Sequence, residues 1–294
     1  MKKLIATCWQ GSSVAEYRGE QAKAYKAVVT GVRGNVEKDI RSLFKLNGNE
    51  LTELQGAGDF RSEECLSILD EADVVVTNPP FSLFREYIAV MMEHKKKFVV
   101  IGNLNAVRCK KIFPLLKDNK VWLGLTYPKD FISQDRKIKR FGNIRWFTNL
   151  DPNKHREELK LVKQYVGHED DYPQYDNYDA INISKVVDIP ADYAGVMGVP
   201  VTFFDKCNPE QFEILGVTSG SKEFDALACP TKHYENPLQH NKENCLVRNG
   251  SKANTQANLK SNTQPQGVYY TADNVDGYLK GVYMRMLIRN KQKK

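Results

Sequence analysis

Short apolar runs alternate with amphipathic stretches through the first half of the chain, and that alternation points to a fold. Asp73-Val74-Val75-Val76-Thr77-Asn78 is a β-branched run without interruption, the pattern of a strand buried on both faces. Phe84, Tyr87, Ile88, Met91 and Met92 then recur at helical spacing, which predicts a helix over 84–94. Lys95-Lys96-Lys97 leads into a second buried strand at 98–102, followed by a predicted helix at 109–118 and a strand at 121–125. Strand and helix in strict alternation predict an α/β fold on a mostly parallel sheet with crossover helices.

Upstream, 3–7 and 26–30 read as two further strands, with a weaker candidate at 51–54 leading into Gly56-Ala57-Gly58-Asp59. Downstream, 144–148 is another strand. Beyond about residue 165 the pattern turns to Tyr, Asn, Asp and Pro, with strand-like runs at 199–204 and 212–217. Residues 229–266 are polar and read as a long loop or insertion, and 281–289 as a last strand before a basic tail. The chain has no internal repeats.

Composition narrows the class. Hydrophobic residues at 41% and charged residues at 27% are ordinary for a globular protein, and no apolar run approaches the roughly 20 residues of a membrane span. The apolar start after Lys2-Lys3 stops too soon for a signal peptide. Six scattered cysteines (Cys8, Cys65, Cys109, Cys207, Cys229, Cys245) form no CxxC, which predicts free thiols and a cytoplasmic location. His233 and His240 near two of them fit no zinc spacing, so no metal is expected. A net charge of +7 permits a polyanionic partner without requiring one.

The candidate chemistry lies in Asn78-Pro79-Pro80-Phe81, where a strand ends and a helix follows. Ligands of open α/β sheets bind outside the carboxyl ends of the strands. Two prolines stiffen the exit, so the Asn78 side-chain oxygen and the Pro79 carbonyl can be held as paired acceptors for an exocyclic amine. Phe81 can stack on the base that carries the amine, which must flip out of a duplex to arrive there. The plain alternative is a turn opener, since Asn-Pro is common at turns. Ahead of this strand, Asp59 can accept from the adenine amine of adenosylmethionine with Phe60 against the ring, or it can be the N-cap of a helix running into Arg61-Ser62-Glu63-Glu64. There is no P-loop and no GxGxxG.

These residues carry a family resemblance. Gly58-Asp59-Phe60-Arg61-Ser62 and the run from Ala72 to Tyr87 through Asn78-Pro79-Pro80-Phe81 resemble the EcoRI-type adenine-specific DNA methyltransferases. So do Gly142 to Leu150, Tyr175 to Ile181, Gly195 to Phe203 and Asn208 to Ile214, in the same order. The resemblance implies a Rossmann-like enzyme that uses S-adenosylmethionine to methylate adenine N6 in double-stranded DNA. It implies that Asn78, Pro79, Pro80 and Phe81 form the catalytic loop and that Asp59, Phe60 and Asn78 meet the cofactor. It divides the chain into a catalytic core at 1–165 and a target-recognition region at 166–294. Such enzymes partner a restriction endonuclease or protect phage or plasmid DNA, and a monomer is expected. Family members begin with a further segment carrying a first strand and the loop that grips the methionine end of the cofactor, and Met1 falls just before the family's second strand.

Basic clusters at 95–97, 110–111, 137–140 and 291–294 are solvated surface or phosphate contacts. The stretch from 129 to 140 is the best candidate for DNA contact, through Lys129, Arg136, Lys137, Lys139 and Arg140. Tyr172, Tyr175, Tyr178 and Tyr193 either stack on nucleotides or pack their own loops. Two rival functions stand beside the first: an RNA or protein-glutamine amide methyltransferase, because such loops hold any planar NH2, and a catalytically inactive DNA-binding remnant.

Overall fold

The computed structural model describes residues 2–10, 23–30, 45, 48–132, 137–151, 153–218, 230–241 and 246–291. In chain order its elements begin with β1 (Leu4–Thr7), β2 (Tyr25–Val29), β3 (Glu50–Glu53), α1 (Glu63–Glu71), β4 (Val74–Thr77) and α2 (Phe84–Glu93). Next come β5 (Lys97–Asn103), α3 (Phe113–Lys117), β6 (Trp122–Leu123), β7 (Asp130–Ile132), β8 (Ile138–Arg140) and β9 (Ile144–Thr148). The remainder is β10 (Ile181–Asn182), β11 (Met197–Pro200), β12 (Phe212–Val217), β13 (Leu238–His240), β14 (Leu246–Asn249), β15 (Asn258–Ser261), β16 (Tyr269–Ala272), β17 (Val275–Gly281) and β18 (Arg285–Asn290). The chain divides into two compact units, residues 1–99 with 128–142 and residues 100–127 with 143–294.

In the first unit β1, β2 and β3 form an antiparallel sheet. Helix α1 starts at Ser62, whose hydroxyl accepts from the Cys65 amide, and Glu63 and Glu64 sit where the helix dipole favours them. The Lys96 ammonium donates to the carbonyls of Asp70 (2.8 Å) and Ala72 (3.2 Å), so one of the three clustered lysines closes the far end of α1. Helix α2 buries Phe84, Ile88 and Met91, the face its spacing predicts, and leads from β4 to β5, its neighbour in the sheet. Strand β4 departs from expectation. Among the described strands it ends the sheet instead of lying buried within it, and Val74 and Val76 are 45% and 69% exposed.

Strand β5 passes from the first unit into the second at Val100, and in the second unit β6 pairs antiparallel with β9. Helix α3 is shorter than the predicted 109–118 because Leu104–Arg108 turns as a 3-10 helix first and Pro114 sets the first α-helical turn. Strands β10, β11, β18 and β12 form a second sheet, parallel only between β10 and β11 among the described pairings of that sheet. Its core is Met197, Val199, Phe203, Phe212, Met286 and Ile288. The predicted strand at 199–204 is cut short at Pro200, which has no amide hydrogen to continue a ladder.

Among its described residues, the polar stretch 229–266 is not one long loop. It supplies β13, β14 and β15 to a five-stranded antiparallel sheet ordered β14-β13-β16-β17-β15. Polar residues there satisfy one another inside the fold. Asn258, fully buried, donates to the carbonyls of Ala253 and Gln256, and its amide donates to the Asn177 side chain. The fold is thus mixed α/β, but the described pairings are mostly antiparallel, against the expected parallel sheet. Parallel neighbours need long crossovers, and beyond residue 165 turns and 3-10 helices join the strands. Cys8, Cys65, Cys109 and Cys207 are thiols, while Cys229 and Cys245 lie outside the described residues. No helix among the described residues is long and apolar enough to cross a membrane.

Candidate functional site

The turn before α1 is built around Gly58. Its φ of +72° is a left-handed conformation, and a Cβ there would collide with the Cys8 carbonyl oxygen. The Gln10 amide donates to the Ala57 carbonyl at 2.8 Å, so the end of β1 holds this turn in place. Asp59 follows. Its Oδ1 accepts from the Arg61 amide at 2.9 Å, an Asx-type turn, and the helix cap falls to Ser62. The capping alternative for Asp59 is therefore corrected.

Arg61 was not singled out by its position in the sequence, yet it meets Asp59, Phe60 and Glu86. Its guanidinium grips Asp59 with Nε on Oδ1 at 2.9 Å and Nη2 on Oδ2 at 2.7 Å. It reaches Glu86 of α2 at 3.2 Å and lies 5.3 Å from the Phe60 ring centroid. The Arg61 hydrogen bonds hold the Asp59 carboxyl below its ordinary range, while the slight burial works the other way. A fork-shaped donor two residues after a carboxylate is the signal that would have found it.

Strand β4 ends at Thr77 and presents Asn78 at its carboxyl end with the side chain exposed. Pro79 is buried and anchors the exit, and the Pro80 carbonyl accepts from the Leu83 amide at 2.9 Å. Phe81 opens the short 3-10 turn before α2 and is 44% exposed, an apolar ring available to a flat partner.

Tyr87 joins the two predicted halves of the site. Its ring packs on Phe60 with centroids 4.9 Å apart, and the Thr77 side chain, next to Asn78, lies near enough to its phenol to oppose the effect of burial on the phenol pKa. Burial raises the Tyr87 phenol pKa, so the group stays neutral. Asp59-Phe60 and Thr77-Asn78 thus share one neighbour, on the helix that follows the loop. Tyr87 was read only as part of the apolar helix face.

The predicted DNA contacts sit on a two-stranded ribbon, β7 against β8, in the same unit. Lys129, Lys137, Lys139 and Arg140 are all exposed, and Arg136 lies outside the described residues. Arg140 pairs across the ribbon with Asp130 at 2.8 Å, which holds that carboxyl below its usual range and partly neutralises this cation. The tyrosines go the other way. Tyr172, Tyr175 and Tyr178 are buried, Tyr165 packs on Tyr172 and Tyr193, and the Tyr175 hydroxyl donates to Asn182 at 2.8 Å. They are packing residues of the second unit, and the nucleotide-stacking alternative is corrected.

Three comparisons bear on these residues. A family model described as adenine-specific methyltransferase EcoRI matches residues 1–291. The Type II methyltransferase M.EcoRI of Escherichia coli is 40% identical over 243 residues, which cover 76% of this chain and 73% of that protein. Type II methyltransferase M.MpnI of Mycoplasma pneumoniae is 40% identical over 195 residues, 58% of this chain and 61% of that one. M.MgeORF184P of Mycoplasma genitalium is 39% identical over 193 residues, with the same shares. No solved structure matches the chain.

Proposed function

Because the chain belongs to the EcoRI-type adenine-specific methyltransferase family, we propose that it methylates N6 of adenine in double-stranded DNA, with S-adenosylmethionine as methyl donor. The observation that carries this reading is the junction at Tyr87, where the Asp59-Phe60 turn and the end of β4 before Asn78 meet one side chain.

The residues of the turn suit such a donor. Asp59 offers an acceptor-only carboxylate, 36% exposed, to an exocyclic amine, and Phe60 offers an aromatic surface beside it. Arg61 is half exposed and can release one carboxylate oxygen without uncovering a buried charge. When bound, S-adenosylmethionine supplies a methyl group on a sulfonium sulfur, which keeps the C–S electron pair on transfer.

The chain's own part is to hold the acceptor. Asn78 Oδ1 and the Pro79 carbonyl accept the two hydrogens of the adenine amine and fix its nitrogen. With both hydrogens engaged, the nitrogen lone pair is free to form the new bond, and the surplus proton leaves toward these oxygens and solvent. Phe81 stacks on the flipped base, and no covalent enzyme intermediate forms.

The same reading gives a Rossmann-like core within residues 1–165 and a target-recognition region at 166–294. It makes Lys129, Arg136, Lys137, Lys139 and Arg140 phosphate or base contacts. It makes the protein a cytoplasmic monomer of a restriction-modification or phage-protection system, acting apart from any cognate endonuclease. The test offers duplex DNA, RNA and protein to the enzyme and analyses the products by mass. N6-methyladenine in the DNA is expected, whereas methylation of RNA or of glutamine amides alone would replace this reading.

A further inference from the structure

The two carboxylate oxygens of Asp59 are held differently. Oδ1 accepts from the Arg61 backbone amide and from Arg61 Nε, both at 2.9 Å. Oδ2 has, among the described residues, Arg61 Nη2 as its partner at 2.7 Å. The backbone bond orients the carboxylate whether or not the guanidinium stays, so Oδ2 is the oxygen that can be uncovered without losing the turn.

The guanidinium spans two carboxylates. Its third nitrogen, Nη1, reaches Glu86 Oε2 at 3.2 Å, a longer bond than those to Asp59. Glu86 lies in the first turn of α2, where the helix dipole favours a negative charge. The side chains of Arg61 and Glu86 are 50% and 47% exposed, so the cation can shift from one carboxylate to the other without a charge being buried. A fork on both oxygens of Asp59 also closes that carboxylate to another donor. An exocyclic amine directed at Oδ2 meets Nη2 already there, and the two compete for one acceptor. Phe60 has Tyr87 against it at 4.9 Å and the guanidinium at 5.3 Å, and of these two the half-exposed arginine is free to move.

We infer that Arg61 is a displaceable cover on the Asp59-Phe60 turn, giving up Asp59 Oδ2 to the adenine amine of the methyl donor and closing on Glu86. This rests on the methyl-donor reading of the turn and makes Arg61 a positioning residue with Glu86 as its receiver. Removing Arg61 then removes a competitor and favours the donor. Removing the charge of Glu86 leaves the displaced cation without a carboxylate and disfavours the donor. Side chains that merely braced the turn would weaken binding in both cases.

The test measures binding of S-adenosylhomocysteine to the full chain by titration calorimetry, without DNA, for wild type, R61L, E86Q, R61L/E86Q and D59N. Exposed ion pairs are weak, so R61L is expected to bind about threefold to fivefold more tightly and E86Q about twofold to threefold more weakly. In the R61L background E86Q is expected to change nothing, because its partner is gone. D59N is expected to weaken binding about fivefold or more. Far-UV spectra establish that each variant is folded, and if R61L is not, E86Q decides alone. Affinity in folded R61L equal to or below that of wild type would overturn the inference, as would unchanged affinity in E86Q or a loss from E86Q that persists without Arg61. The donor reading survives those results as long as D59N weakens binding. Affinity that D59N leaves intact, or no binding by a folded wild type, would instead remove the reading beneath.

Discussion

Both carboxylate oxygens of Asp59 are held by Arg61, and this pairing sets how the group responds to pH. Its pKa in the fold is depressed below the ordinary 3.8. The contribution of the pair is thus complete above the ordinary carboxylate range and is lost only as pH falls through the lowered value. In Arg61→Leu the Asp59 pKa is expected to climb back toward the ordinary range, read from its carboxyl carbon shift by NMR. An unchanged titration would remove Arg61 as the cause. At this scale the sequence was informative where chemistry dictates residue type: Asn78 and Asp59 stood out because an amide and a carboxylate sat at strand ends. Arg61 and Tyr87 did not, because their roles depend on which helix face lies opposite the turn, and spacing alone does not show that.

At the scale of elements, two local arrangements make testable demands. Gly58 has a positive φ, and the Cys8 carbonyl oxygen stands where a Cβ would sit. Gly58→Ala is therefore expected to cost at least about 1–2 kcal/mol in urea unfolding, and an unaltered midpoint would mean that the turn relaxes freely. Asn177 is fully buried, donates to the Gln256 carbonyl at 2.8 Å and accepts from the Asn258 amide at 2.9 Å. Asn177→Ala strands both partners and is expected to cost about 3 kcal/mol by the same measurement. That amide network also explains why β13, β14 and β15 were illegible in the sequence. Strands stabilised by buried Asn and Gln read as polar loop, because period-2 hydrophobicity is the signal being sought. Helix α2 and strand β12 were legible because each buries apolar side chains at the spacing expected of its type.

For the whole molecule, the first-half alternation of strand and helix was visible, whereas the antiparallel pairings of the other described sheets were not. Pairing direction depends on connections and tertiary partners, and most described strands pair antiparallel. Neither does an apolar run report its burial: Val74 and Val76 look like core in the sequence and stand open at the end of a sheet. What survives these corrections is the convergence at the end of β4, in the unit that also carries the basic ribbon. The central claim is that Asn78 holds an adenine amine for methylation. It is tested most directly by tritium transfer from labelled S-adenosylmethionine to unmethylated DNA, with wild type and Asn78→Ala side by side. Incorporation at adenine N6 by the wild type, reduced at least about a hundredfold in folded Asn78→Ala, is the expected result. Equal incorporation by both proteins, or none by a folded wild type, would contradict it.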